Sequence, residues 1–311
     1  MSDPMNTGNP VHLNRDALVA AIATFLANHE HLDKIRAALE AEVDAAGPQA
    51  LADLNARLAK TGEDWTYYDR DPLARIIHQR LADRILLPGS TLVGVEHVEA
   101  VAGKPVVIVA NHLSYSDANL LEVLLYRAGA AGRAMSDRLT VIAGPKVYSS
   151  LKRRFSSLCF GTIKTPQSSA VSSEGAVMNP REVARAARQS IDAAHERLFR
   201  GDALLVFAEG TRSRTRGMQP TLTAVTRYFD FPDVWVLPAG ITGTEEMFPI
   251  GEDGLHPVRA ITTIGPPIEA RALHEQANGD RRLMMDEVGS KIAELLPVEY
   301  RGTYRFGRHT Y

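Results

Sequence analysis

Cysteine is nearly missing from this 311-residue chain: Cys159 stands alone. That excludes an internal disulfide and suits a reducing compartment. Set among apolar neighbours, Cys159 reads as a small core residue rather than a nucleophile. No apolar run approaches the roughly 18 residues needed to span a bilayer, so any membrane contact is expected to be peripheral. The opening residues MSDPMNTGNP have no basic stretch followed by an apolar core, and no signal peptide is expected there. Charge of one sign is not in excess. The formal net charge of -2 lacks the basic surplus that nucleic-acid binding needs. His29, His31, His78 and His195 form no zinc-ligand grouping, and His29-Glu30-His31 lacks a second-turn histidine. No metal and no cofactor are expected. A G-x-S-x-G elbow and internal repeats are also missing. A soluble, cytoplasmic protein is expected, with peripheral membrane contact left open.

With 45% hydrophobic and 23% charged residues, the chain can bury a sizeable core, and its length allows two domains. The N-terminal part reads as helices. Leu18, Ile22, Phe25 and Leu26 recur at helical spacing, as do Leu32, Ile35, Leu39 and Val43. Gly47-Pro48 breaks the pattern, and Leu51, Leu54 and Leu58 resume it. These short helices are expected to pack on one another or on the rest of the chain. Thr61–Arg70 reads as a linker, giving a helical domain over 1–70 and a second domain over 71–311. Asp71-Pro72 forms a cap and first helical residue for Leu73, Ile76, Ile77, Leu81 and Ile85. Short β-branched runs follow at Thr91–Val95, Val106–Ala110, Leu139–Ala143, Leu158–Ile163, Ala203–Phe207, Val234–Leu237 and Ile261–Ile264. Asn179-Pro180-Arg181-Glu182 has the form of a capping box, ahead of an apolar face of Val183, Ala187, Ile191, Ala194 and Leu198. Gln167–Val177, rich in Ser and Gly, reads as a loop beside the site. Strands alternating with helices predict an α/β fold, a mixed, mostly parallel sheet flanked by helices.

Two strand-to-turn junctions carry chemistry. After Val106–Ala110 comes Asn111-His112-Leu113-Ser114-Tyr115-Ser116-Asp117. A carboxylate five positions beyond the histidine can lie behind the imidazole and hold the tautomer whose other nitrogen is a free base. Such a base takes the proton of an alcohol as it attacks an acyl carbonyl. Alone, the pair is a weak signal. Asn111 is expected to orient the turn rather than touch substrate. After Ala203–Phe207 comes Ala208-Glu209-Gly210-Thr211-Arg212-Ser213-Arg214. Arginines two apart in a loop can converge on one anion, since each offers a planar fork of donors. Gly210 permits close backbone approach, and an N–H there could serve an oxyanion. Glu209 keeps two readings: a partner for an acceptor hydroxyl, or a salt bridge with Arg212 that shapes the turn.

Together these motifs resemble the glycerolipid acyltransferase superfamily, whose first signature is N-H-x-x-x-x-D and whose third is F-P-E-G-T-R-S. Ala208 stands where the third has proline, a change expected to affect loop rigidity more than chemistry. Val236 to Thr244, with Pro238 and Gly243-Thr244, is similar to the fourth motif. Ala143-Gly144-Pro145-Lys146 and Gly161-Thr162-Ile163-Lys164 occupy the region of the second. The usual arginine is absent there, with Lys164 and Gln167 in its place. Strand, Lys164, polar loop and helix in that order resemble the soluble plastid-type glycerol-3-phosphate acyltransferases.

The resemblance implies an acyltransferase of phospholipid biosynthesis, making lysophosphatidic or phosphatidic acid. His112 would deprotonate the acceptor hydroxyl, with Asp117 behind it. Glycerol 3-phosphate or a lysophospholipid would be held by Arg212 and Arg214, with Lys164, Glu209, Gly210 and Thr211 as further binding residues. Acyl-CoA or acyl-carrier protein would be the co-substrate. Lys152-Arg153-Arg154 reads first as a solvated helix face. It could instead receive an acidic carrier protein, coenzyme A phosphates or anionic lipid. Two alternatives stay open: another alcohol or amine acceptor, such as a glycolipid or secondary metabolite, and a non-catalytic lipid-binding protein of the same fold.

Overall fold

Two helices, α1 (Arg15–Thr24) and α2 (Leu32–Ala59), form the N-terminal layer of the computed structural model. It describes residues 13–24, 32–60, 64–166, 178–248 and 255–305. The readings placed on Phe25, Leu26, His29, His31 and Gln167–Val177 lie outside those residues. Gly47 breaks the helical path of α2 with φ 80° and ψ 171°, which relieves the clash a proline at position 48 would make with the preceding turn. The expected break therefore falls inside one bent helix. Ile35, Leu39 and Val43 are buried before it, Leu54 and Leu58 after it.

Beyond come β1 (Tyr67–Tyr68), α3 (Pro72–Ile85), β2 (Thr91–Val93), α4 (Val95–Ala100), β3 (Val106–Ala110), α5 (Asp117–Arg127) and α6 (Gly129–Asp137). Then follow β4 (Leu139–Ala143), α7 (Leu151–Ser157), β5 (Gly161–Lys164), α8 (Pro180–Phe199), β6 (Ala203–Phe207) and β7 (Trp235–Thr242). The chain closes with β8 (Ile261–Ile264), β9 (Ile268–Glu269), α9 (Ala270–Gln276) and α10 (Arg281–Glu294). Asp71 caps α3 by accepting the Ala74 N–H at 2.9 Å, and Asn179 with Glu182 closes the capping box of α8. The most buried line on α8 is Ala186, Ser190, Ala194 and Leu198. Val183, Ala187 and Ile191 flank it half-buried, so the expected face is rotated slightly.

The strands form one sheet in the order β1-β5-β4-β6-β3-β7-β8-β2, with β9 also on β7. From β5 through β7 all neighbours are parallel. The pairs β1–β5, β7–β8 and β7–β9 are antiparallel, and β2 runs parallel to β8. This is the expected mixed, mostly parallel sheet flanked by helices. Strands β3 and β4 are buried along their whole length, which is why they read as unbroken apolar runs rather than alternating ones.

Four expectations shift. The strand expected over Thr91–Val95 stops at Val93, because Gly94 with φ 84° turns the chain into α4. The linker Thr61–Arg70 contains β1, whose tyrosines pair with Ile163 and Thr162. Strand β5 starts at Gly161, not Leu158, because the Leu158 N–H still closes α7 onto Arg154 O at 3.2 Å. Strand β7 continues through Pro238 to Thr242. On that edge β9 pairs up to Val236 and β8 begins at Ala239, so the proline lies between two partners and its missing N–H breaks neither ladder.

Two apolar clusters pack the molecule. One centres on the sheet with α8 and α10. The other joins α1, α2 and α3 to Leu120 and Leu124 of α5 and Leu151 and Phe155 of α7.

Candidate active site

Strands β3 and β6 are parallel neighbours whose last residues, Ala110 and Phe207, stand opposite each other. The turns that follow therefore leave the sheet at the same end, where α/β sheets hold ligands. They are laced together. His112 N–H donates to Glu209 Oε1 at 3.0 Å, and Ser213 N–H donates to His112 O at 2.8 Å. Ala208 N–H donates to Ala110 O at 2.8 Å, a bond that proline at this position could not make. Asn111 is fully buried and clasps the neighbouring strand: its Nδ2 donates to Ile241 O at 2.9 Å and its Oδ1 accepts from Ile241 N at 2.7 Å. It shapes the turn, as expected.

His112 Nδ1 lies 2.8 Å from Asp117 Oδ2. Asp117 is fully buried at the first position of α5. The same Oδ2 accepts the N–H groups of Leu113 at 2.6 Å and Ser114 at 2.9 Å, and Oδ1 accepts the Thr244 hydroxyl. With every other neighbour donating to it, the carboxylate is an acceptor toward His112 as well. The proton then belongs on Nδ1, and Nε2 keeps a free lone pair. The imidazole stacks on the Phe207 ring, centroids 4.0 Å apart and planes 14° from parallel, and lines the cleft with its side chain 16% exposed.

The cleft encloses about 1580 Å³, above the roughly 300–1,000 Å³ of common small-molecule sites. Gly210, Thr211, Arg212 and Arg214 line it beside His112. An apolar wall includes Ile22, Leu81, Ile85, Leu120, Phe155 and Met247. Among the described residues, neither Arg212 nor Arg214 pairs with a carboxylate. Arg216 does, with Glu245 at 3.2 Å and Glu246 at 3.4 Å. Arg212 lies over the Tyr115 ring at 3.6 Å, and Arg153 approaches the same ring at 5.0 Å.

Several site readings change. Glu209 does not line the cleft and forms no ion pair with Arg212 among the described residues. It is buried behind the turn, where Oε1 takes the His112 N–H and Oε2 the Gln219 N–H at 2.8 Å. Burial first, and the nearby Asp117 charge in addition, raise its carboxyl from the ordinary 4.5 to about 7, against those two backbone donors. The Gly210 N–H is committed to Phe207 O at 3.1 Å, so it is not a spare oxyanion donor. Lys164 does not line the cleft either; its Nζ rests over Trp65 at 4.3 Å and Tyr148 at 5.8 Å. The cluster Lys152-Arg153-Arg154 is no plain solvated face. Lys152 and Arg153 line the cleft, while Arg154 is buried and donates from Nη1 to Tyr148 O at 3.2 Å. Cys159 is buried, and burial pushes its thiol well up. Tyr115, Phe207 and Thr244 join the site without having been singled out as site residues. No spacing rule marks them; only the fold brings them to His112 and Arg212.

The Acyltransferase family model matches residues 91–242, a span that contains both turns. Over that span, just under half of its length, the chain is similar to the Acyltransferase family. Among solved structures it is similar to the 1-acyl-sn-glycerophosphate (LPA) acyltransferase PlsC from Thermotoga maritima. That match has a TM-score of 0.51 and 19% identity, covering 90% of this chain and 96% of the other. At that identity it speaks for the fold. No curated protein matches the chain.

Proposed function

We propose that the protein is an O-acyltransferase that moves a fatty acyl group from an acyl thioester to glycerol 3-phosphate or a lysophospholipid. The observation that carries this reading is the opening of one cleft onto His112, with Asp117 behind it, and onto Arg212 and Arg214, which have no carboxylate partner among the described residues. His112 Nε2 takes the proton of the acceptor hydroxyl, and the oxygen bonds to the thioester carbonyl carbon. The C–S bond breaks, and the departing thiolate recovers the proton from His112. Asp117 accepts from Nδ1 throughout and steadies the imidazolium between the two proton transfers. Arg212 and Arg214 hold the acceptor phosphate, the apolar wall holds acyl chain, and Lys152 with Arg153 meets the phosphates of the donor or an acidic carrier protein.

A second reading is an acceptor without phosphate. The position of Lys164 outside the cleft favours it, since that lysine adds no cation there and Lys146 alone of the two second-motif lysines lines the cleft. A screen decides: acyl-CoA and acyl-carrier protein as donors, with glycerol 3-phosphate, lysophosphatidic acid and glycerol as acceptors. Transfer confined to the phosphorylated acceptors is expected. Equal transfer to glycerol would remove the phosphate site, and no transfer from either donor would remove the enzyme.

A further inference from the structure

Strand β7 ends at Thr242, and Gly243 follows with φ 83°. A Cβ on Gly243 would stand 2.1 Å from Arg259 O, a backbone atom that cannot step aside. Glycine lets the chain leave the sheet abruptly here, and Thr244 opens a 3-10 turn that runs to Met247. The Thr244 side chain is fully buried, and its hydroxyl donates to Asp117 Oδ1, 127 positions away in sequence. The remaining donors to Asp117 are Leu113 N, Ser114 N and His112 Nδ1, all on Oδ2 and all from the turn that carries His112 itself. Those three would move together with that turn. Thr244 is the donor that ties the carboxylate to a different strand.

We infer that Thr244 is a positioning residue: its hydroxyl fixes the plane of the Asp117 carboxylate, and through it the direction in which His112 presents Nε2. The inference rests on the general-base reading of His112. A buried threonine whose hydroxyl is merely satisfied would support the fold and leave turnover alone, so the two roles part in kinetics.

The experiment compares Thr244→Val, which keeps the shape and loses the hydroxyl, with Thr244→Ser, which keeps the hydroxyl, and with His112→Ala. A hydrogen bond to a charged group corresponds to a change of roughly 10- to 150-fold. A loss in kcat of about that size is expected for Thr244→Val, with KM for donor and acceptor within about twofold. Thr244→Ser is expected to recover to within about threefold of wild type, since the charge-assisted bond is remade. The proton NMR signal of His112 Nδ1–H should shift in the Val variant and return in the Ser variant. Wild-type kcat in Thr244→Val beside an inactive His112→Ala would overturn this inference and leave the mechanism standing. Activity in a folded His112→Ala would instead overturn the general-base reading beneath it. If Val is not accommodated, Thr244→Ala takes its place. Failure of both to fold, or failure of Ser to rescue, would assign the hydroxyl to the fold and refute the positioning role.

Discussion

At the scale of single residues, the arginines of the β6 turn differ in whether their charge is spent. Arg216 is paired with Glu245 and Glu246, whereas Arg212 is stacked on Tyr115 and lines the cleft. Stacking fixes the guanidinium plane while leaving its N–H fork for an anion. Arg212→Lys keeps the charge and loses the fork. It is therefore expected to lower kcat/KM for phosphorylated acceptors by roughly 10- to 150-fold and to change glycerol turnover far less. An equal loss on both acceptors would make Arg212 a brace of the turn. Glu209 gives a second test. Its carboxyl is raised to about 7 in the fold, so the folded chain holds that proton to higher pH than the unfolded chain. The contribution of Glu209 to stability is greatest below the unfolded value and falls as pH rises through the interval from 4.5 to about 7. Relative to Glu209→Gln, wild type is expected to lose about 3 kcal/mol across that window. Chemical denaturation of both proteins at several pH values measures it, and parallel curves would contradict it.

At the scale of elements, legibility in the sequence followed burial. Strands β3, β4 and β6 begin and end where their apolar runs do, because strands buried on both faces have no polar alternation to blur them, and β8 matches its run although its burial alternates. The caps of α3 and α8 were equally readable from Asp71-Pro72 and Asn179-Pro180. Strands β1 and β9, two residues each, carry no periodicity to read and exist through their neighbours. In the candidate site, His112, Asp117 and Arg212 were legible as motif letters. The posts of Glu209 and Thr244 were not, since both bonds join distant turns. The helical unit over 1–70, docked on the rest, remains our proposal. Its apolar cluster is shared with α3, α5 and α7, and Arg57 reaches across to Asp71 at 3.0 Å. Leu54, fully buried there, is expected to cost about 2–5 kcal/mol on change to alanine, in one cooperative unfolding transition. Two separate transitions, with only the first weakened, would show that residues 1–70 fold apart from the sheet.

At the scale of the whole molecule, an α/β sheet brings His112 with Asp117 behind it, Arg212, Arg214 and an apolar wall to one end. The wall includes Ile22 from α1 beside Leu81 and Ile85 from α3, so helix α1 helps to build the cleft as well as the core. No helix among the described residues is long and apolar enough to cross a membrane. The most direct test of the proposed mechanism is acyl transfer by His112→Ala, measured with the best donor and acceptor from the screen and with folding checked by thermal melting. Removal of a general base costs about 10²–10⁴-fold, and direct attack offers no covalent detour, so a folded variant with transfer reduced at least that far is expected. A folded His112→Ala protein that transfers acyl groups at the wild-type rate would contradict the general-base mechanism.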